Sequence, residues 1–237
     1  MERSAVSRVA GGLAAVGAGA FAYLRWVRPW HLRWGATDEE LARAMPGDDL
    51  VKQPQYVTNR AITLQALPEQ IWPWLVQMGE GGGGYYSYVW VERMLGMRLR
   101  NTDRILPEFQ QLKVGDPLSV ETRDEYAMRV RVLEPGRCLV LGSSTPPPWG
   151  DATWTIGLYP LDAHSTRLVS RCRCRFKSTW HMLGVLSFLD LGQLLMEREW
   201  LLGVKTRAER WEHAMLEPRE GAVTPWTQPH RRPTCPS

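Results

Sequence analysis

Between Tyr126 and Phe176 the chain alternates apolar and polar residues, and one helix-period stripe follows. Tyr126, Met128, Val130 and Val132 alternate with Arg129 and Arg131, and Cys138 to Leu141 is a short apolar run behind the Pro135-Gly136 turn. Ala152, Trp154, Ile156 and Leu158 alternate with Thr153, Thr155 and Tyr159. Leu168, Ser170, Cys172, Cys174 and Phe176 alternate with Arg167, Val169, Arg171, Arg173 and Arg175. A period of two with one polar side marks an antiparallel sheet with one wet face. The other face needs a cover. Leu194, Glu197, Leu201, Val204, Ala208, Trp211 and Met215 recur at steps of three and four. That is one stripe of a helix about 22 residues, or roughly 33 Å, long.

Upstream, Tyr56 to Leu64 reads as a further strand with Thr58, Arg60, Ile62 and Leu64 on one side. Pro68 opens a helix, where a missing N–H costs little, and Ile71, Trp72, Leu75 and Met78 give it an apolar face that stops at Gly79. The expected class is α+β: a curved antiparallel sheet wrapped around a long C-terminal helix, an arrangement that leaves room for a cavity between the two.

The ends differ from this middle. From Val9 to Leu24 no residue is charged, a run just short of the roughly 20 residues that cross a bilayer. Trp26 and Val27 extend it if Arg25 reaches toward the headgroups. Tyr23, Trp26, Trp30, His31 and Trp34 then resemble an interfacial belt. Residues 1–34 are therefore expected to be a single-pass membrane anchor. A cleaved signal peptide, with Ala18-Gly19-Ala20 or Ala20-Phe21-Ala22 as the A-x-A site, and a peripheral helix remain alternatives. Arg25, Arg28 and Arg33 behind the run, against Arg3 and Arg8 before it, lean toward a cytoplasmic domain. Cys138, Cys172, Cys174 and Cys235 form no C-x-x-C pair, and free thiols lean the same way. Residues 35–53 read as a polar linker with a short helix capped by Thr37. The folded domain is expected over 54–216, and 217–237 as a disordered tail rich in Pro, Thr and Arg. The net charge of +4 is spread without a Lys/Arg block, which argues against a nucleic-acid partner.

The strand Arg60-Ala61-Ile62-Thr63-Leu64, the helix Pro68-Glu69-Gln70-Ile71-Trp72-Pro73-Trp74-Leu75-Val76-Gln77-Met78, the segment Gly83-Gly84-Tyr85-Tyr86-Ser87-Tyr88, and later Thr166-Arg167-Leu168 and Met196-Glu197-Arg198 together resemble bacterial members of the START/polyketide-cyclase-like superfamily (SRPBCC). The resemblance covers residues 54–216. It implies the helix-grip fold and a deep apolar cavity that takes lipids, polyketides, quinones or other hydrophobic molecules, in some members with enzymatic activity. Gly82 stands where related sequences carry Arg, and Val89 where they carry Asp.

Several residues are candidates for the site. Trp74, Tyr85, Tyr86, Tyr88, Trp90, Trp154, Cys172, Cys174 and Leu201 are of the types that wall an apolar pocket, and equally of the types that fill a core. Gly79-Glu80-Gly81-Gly82-Gly83-Gly84 contains G-x-G-x-x-G, but an apolar helix precedes it, where a dinucleotide site needs a strand. Cys172-Arg173-Cys174 lacks the second pair a structural zinc requires, so neither metal nor cofactor is expected. Glu197 breaks the apolar stripe. It is an acid or base, half of an ion pair with an Arg, or simply exposed. Arg129, Arg131, Arg171, Arg173 and Arg175 share one sheet face, either solvated or against anionic lipid.

Three functions follow, in order. The first is binding of a hydrophobic small molecule or lipid in an internal cavity at the membrane surface. The second is a cyclase, dehydratase or hydrolase on an apolar carbonyl substrate, with Glu197 and a Tyr as acid and base. The third is a partner-binding protein whose cavity is filled by Trp154, Phe176 and Trp211.

Overall fold

The computed structural model describes residues 11, 12, 14, 15, 17–94, 96, 100–118, 128–143, 150–180 and 190–210. Five strands form one antiparallel sheet: β1 Tyr56–Leu64, β2 Met128–Glu134, β3 Cys138–Ser143, β4 Gly150–Pro160 and β5 Thr166–Phe176. Their order is β1-β5-β4-β3-β2, so every neighbour except β1-β5 is sequential. Antiparallel hairpins need only short connections, which suits the Pro135-Gly136 turn between β2 and β3. Helices α1 Arg28–Leu32, α2 Asp38–Ala42, α3 Pro68–Val76, α4 Val89–Met94 and α5 Asp190–Glu209 complete the described elements used below, with a π-helical turn at Tyr23–Val27.

The main core lies between α3, α5 and the inner sheet face. Leu64, Val130, Leu139, Leu141, Ile156 and Leu168 come from the strands, and Ile71, Trp74, Leu75, Trp200, Leu201 and Val204 from the two helices. The expected stripe is buried at Leu194, Glu197, Leu201, Val204 and Ala208, while Trp211 and Met215 lie outside the described residues. This is the α+β architecture the alternation requires, with α5 as the cover, and it fits a helix-grip fold.

The outer face departs from expectation. Residues 35–53, anticipated as a linker, lie across it as a strap. Met45 packs with Ala61 and Val169 in a second small core. Thr155, on the side expected to be wet, is 1% exposed and donates to Pro46 O at 3.0 Å. Gly47 sits at φ +84°, and a Cβ there would fall 2.5 Å from Val140 Cγ1, so the strap lies flush on β3. Thr37 and Glu40 cap α2 reciprocally, as a capping box does.

Two arginines of the expected solvated face are what hold the strap. Arg171 is 3% exposed. Its guanidinium donates to Asp48 Oδ2 at 2.7 Å, Glu40 O at 2.8 Å and Arg43 O at 2.9 Å, and also to Asn59 Oδ1. Arg173 lies 3.4 Å from Asp48 Oδ1. Beside them Arg167 pairs with Glu40 at 2.7 Å. Burial raises the Glu40 carboxyl, but the Arg167 and Thr37 hydrogen bonds outweigh it and hold the group below the usual carboxylate range. The arginine face therefore cannot serve as one continuous lipid-binding surface, because Arg171 is spent internally.

The membrane-spanning expectation finds no support. Among the described residues no helix is long and apolar enough to cross a membrane, although residues 9, 10, 13 and 16 of the uncharged run, and residues 1–8 before it, lie outside the description. The expected interfacial belt also divides. Trp26 and Trp30 are exposed, whereas His31 is fully buried and Trp34 packs against the main core. The Tyr23 hydroxyl donates to Asp190 Oδ2 at 2.9 Å and lies 3.0 Å from His31 Nε2, and Arg28 Nε donates to the same oxygen at 3.0 Å. The segment from Tyr23 is thus stapled to the first turn of α5.

Two predictions follow from these clamps. Arg171→Met removes the nearer of Asp48's two arginine partners and the donor to the strap carbonyls of Glu40, Leu41 and Arg43, so the full chain should lose about 3 kcal/mol in urea unfolding. Lysine should not rescue it, lacking the planar five-donor fork, and limited proteolysis should open the strap first. Burial, reinforced by Arg60 and Arg28 and opposed by Asp190, pushes the His31 imidazole below its ordinary value. The unfolded chain then binds the extra proton, so stability is present above pH ~6.5 and falls as pH drops below it. His31→Gln should flatten that acid limb in a pH series of thermal melts.

Candidate functional site

A cavity of ≈ 240 Å³ opens between the inner sheet face and α5. β4 contributes Trp154, β5 contributes Cys172, and α5 contributes Gln193, Met196, Glu197 and Trp200. Tyr85 and Ser87 close it from the segment that leads into α4, and Glu92 from α4 itself. The spacing explains the α5 set: positions three and four apart share a helix face. Trp154 and Trp200 meet edge to face, with centroids 4.9 Å apart. The wall is apolar apart from a few polar groups, the common form of a small-molecule site.

Of the residues anticipated from sequence, Tyr85, Trp154, Cys172 and Glu197 line this cavity. Trp74, Tyr86 and Leu201 do not; they are core residues 1%, 2% and 0% exposed. Tyr88 and Trp90 point outward, and Cys174 is half-buried but not on the wall. Ser87, Glu92, Gln193, Met196 and Trp200 are on the wall without having been anticipated. Gln193, Met196 and Trp200 flank Glu197 at helical spacing, a signal that was available. Nothing in sequence marks Glu92, which sits on a short helix whose inward face depends on the loop before it.

That loop is fixed by contacts on several sides. Tyr86 has φ +56°. Its hydroxyl donates to Trp74 O at 2.9 Å and accepts from Gln77 Nε2 at 3.0 Å. Asn101 Oδ1 accepts from Tyr86 N at 2.8 Å, and Asn101 Nδ2 donates to Ser87 O at 2.9 Å. Gly203 on α5 lets the helix approach this backbone, since a Cβ there would stand 2.2 Å from Tyr86 O. The glycine run forms a bridge between Gly79 and Gly84 rather than a phosphate cradle. Gly82, where the resemblance expects Arg, has no room for a side chain on this path: its Cβ would lie 2.6 Å from Gln77 O.

Glu197 is neither exposed nor free. Arg60 from β1, fully buried, pairs with its Oε2, and the Ser170 hydroxyl donates to Oε1 at 2.7 Å. Ser170 in turn accepts from Trp154 Nε1 at 2.9 Å, and Arg60 Nε donates to His31 O at 3.1 Å. Burial pushes the Glu197 carboxyl upward, against the pull of Arg60 and Ser170. Of the roles anticipated for Glu197, the ion pair is the one present. Burial also raises the Glu92 carboxyl, with Ser87 opposing. It pushes the Cys172 thiol well above its ordinary value and Cys174 to about 11. Neither cysteine is activated as a thiolate, and among the described residues no group of His, Cys, Asp and Glu is arranged to hold a metal.

No family model matches the chain, and no curated protein matches it. Several solved structures overlap it. The Zhui aromatase/cyclase from Streptomyces is 16% identical, with 68% of this chain and 97% of that one covered and a TM-score of 0.37. A protein from Chromobacterium violaceum is 13% identical over 65% and 96%, with a TM-score of 0.39. One from Mesorhizobium loti is 14% identical over 65% and 97%, with a TM-score of 0.37. At these values the overlap assigns neither a family nor an activity.

The Arg60–Glu197 pair yields a prediction. Arg60→Met alone leaves a buried carboxylate without its counter-charge and should cost about 3–5 kcal/mol. The double change Arg60→Met/Glu197→Leu removes both charges and should recover most of that loss in chemical denaturation.

Proposed function

We propose that this protein binds one small, largely apolar molecule in the cavity between the sheet and α5. The observation that carries the reading is the cavity itself: ≈ 240 Å³ walled by Trp154, Trp200, Met196, Cys172 and Tyr85, with its polar groups confined to a few positions. The volume is just under the range of about 300–1,000 Å³ for drug-sized sites. That favours a compact one- or two-ring compound over a diacyl lipid. A ligand of that size buries about 200 Å², as an aromatic side chain does, and so gains about 5 kcal/mol before the cost of association. Glu197 supports binding rather than proton transfer, since both its oxygens are engaged by Arg60 and Ser170.

The exposed side chains of Phe21, Leu24, Trp26 and Trp30 support a second part of the reading. They would rest on a lipid surface, from which an apolar ligand partitions into the cavity. Vesicle flotation of the full chain tests this part, and Trp26→Ser/Trp30→Ser should reduce the floated fraction. Unchanged flotation would remove the membrane from the proposal and leave the cavity intact.

Native mass spectrometry of the full chain, followed by organic extraction, tests the binding itself. A bound apolar compound at a one-to-one ratio is the expected result. A protein that comes empty, and stays empty after incubation with naphthalene, would contradict it.

A further inference from the structure

The cavity wall holds a carboxyl that simple apolar binding does not require. Glu92 is 2% exposed and faces the cavity from α4. The Ser87 hydroxyl donates to its Oε1, while Oε2 has no partner among the described residues. The contrast with Glu197 is direct. Glu197 has a guanidinium and a hydroxyl on its two oxygens; Glu92 has one hydroxyl and, among the described residues, no cation paired with it.

Burying a carboxylate with one hydrogen bond and no counter-ion disfavours its charged form. Burial acts in that direction on Glu92, with Ser87 the opposing influence. A neutral carboxyl has one carbonyl oxygen and one O–H donor. Ser87 occupies the carbonyl oxygen, so the O–H falls on Oε2, the atom left without a partner. A buried donor of this kind is costly until an acceptor meets it. Tyr85 beside it keeps its own proton, its phenol pushed up to about 12 chiefly by burial.

Resting on the binding proposed above, we infer that Glu92 sets the specificity of the cavity: its Oε2–H donates to a carbonyl oxygen, so the site takes apolar ketones, aldehydes or quinones in preference to hydrocarbons of the same shape. Trp154, Trp200 and Met196 supply the apolar surface, and Glu92 fixes which end of the molecule faces α4. An amine would find no carboxylate to pair with, because Glu197 is committed to Arg60.

Titration of the full chain, followed by tryptophan fluorescence, separates the possibilities with three probes: acetonaphthone, isopropylnaphthalene and naphthylmethylammonium. The expected result is acetonaphthone bound about tenfold more tightly than isopropylnaphthalene, the value of one good hydrogen bond. Glu92→Met should abolish the preference, whereas Glu92→Gln, whose amide still donates, should keep it. The infrared carbonyl stretch of bound acetonaphthone, which needs no variant, should lie below its value in hexane. Equal binding of ketone and hydrocarbon with an unshifted stretch overturns the role of Glu92 and leaves the cavity reading standing. Preference for the ammonium probe, lost in Glu92→Gln, overturns it by revealing a carboxylate. Failure of all three probes to bind overturns the cavity reading and this inference with it.

Discussion

The buried Arg60–Glu197 pair ties β1 to α5 within the apolar core, between the Tyr56–Gln193 and Lys205–Thr63 hydrogen bonds that join the same two elements. Arg60 comes from β1 and Glu197 from α5; Ser170 on β5 and Trp154 on β4 extend the chain of hydrogen bonds across the inner sheet face. Arg60 pairs in register with Ser170, so one β1-β5 step places both groups under the same carboxylate. Arg60 Nε reaches further, to His31 O, and His31 belongs to the segment stapled to Asp190. A buried ion pair adds little net stability over apolar residues of similar volume. Its consequence is geometric. It fixes the axial position of α5 over the sheet, and with it the side chains of Gln193, Met196 and Trp200 that wall the cavity.

The two sheet faces solve different problems with the same residue type. On the inner face a single arginine meets a single glutamate inside an apolar core. On the outer face Arg167, Arg171 and Arg173 each take an acidic partner from the strap, Glu40 or Asp48. Arginine suits both because its fork makes several directed hydrogen bonds at once, and backbone carbonyls of the strap are among the acceptors. The sheet is therefore covered on both sides along much of β1, β5, β4 and β3, with Arg131 and Arg175 left exposed, and the strap packs on it as α5 does on the other face.

The period-two and period-three-four patterns made β1 and the α5 stripe legible, since alternation reports directly which side of an element is buried. The same alternation misled on the outer face. Thr155 and Arg171 are polar and so read as wet, yet Pro46 O and Asp48 satisfy them in the interior. Sequence pattern records polarity, not whether a distant segment returns to pair with it. The N-terminal run shows the same limit: His31 and Trp34 resembled an interfacial belt, but one is enclosed and the other packs on the core. In the site, Glu197 stood out because it interrupts an apolar stripe. Glu92 did not, because a six-residue helix carries too little periodicity to reveal its inner face.

The central claim is that the space between β4, β5 and α5 is where the apolar ligand goes. Filling that space from within tests it most directly. Cys172→Phe places an aromatic ring at the cavity wall, and thermal melts of the full chain with and without acetonaphthone compare it with the unaltered protein. The account predicts that ligand raises the melting temperature of the unaltered protein, as selective binding to the folded state must, and leaves the folded Cys172→Phe protein unmoved. An equal rise in both would place the ligand elsewhere and contradict the account.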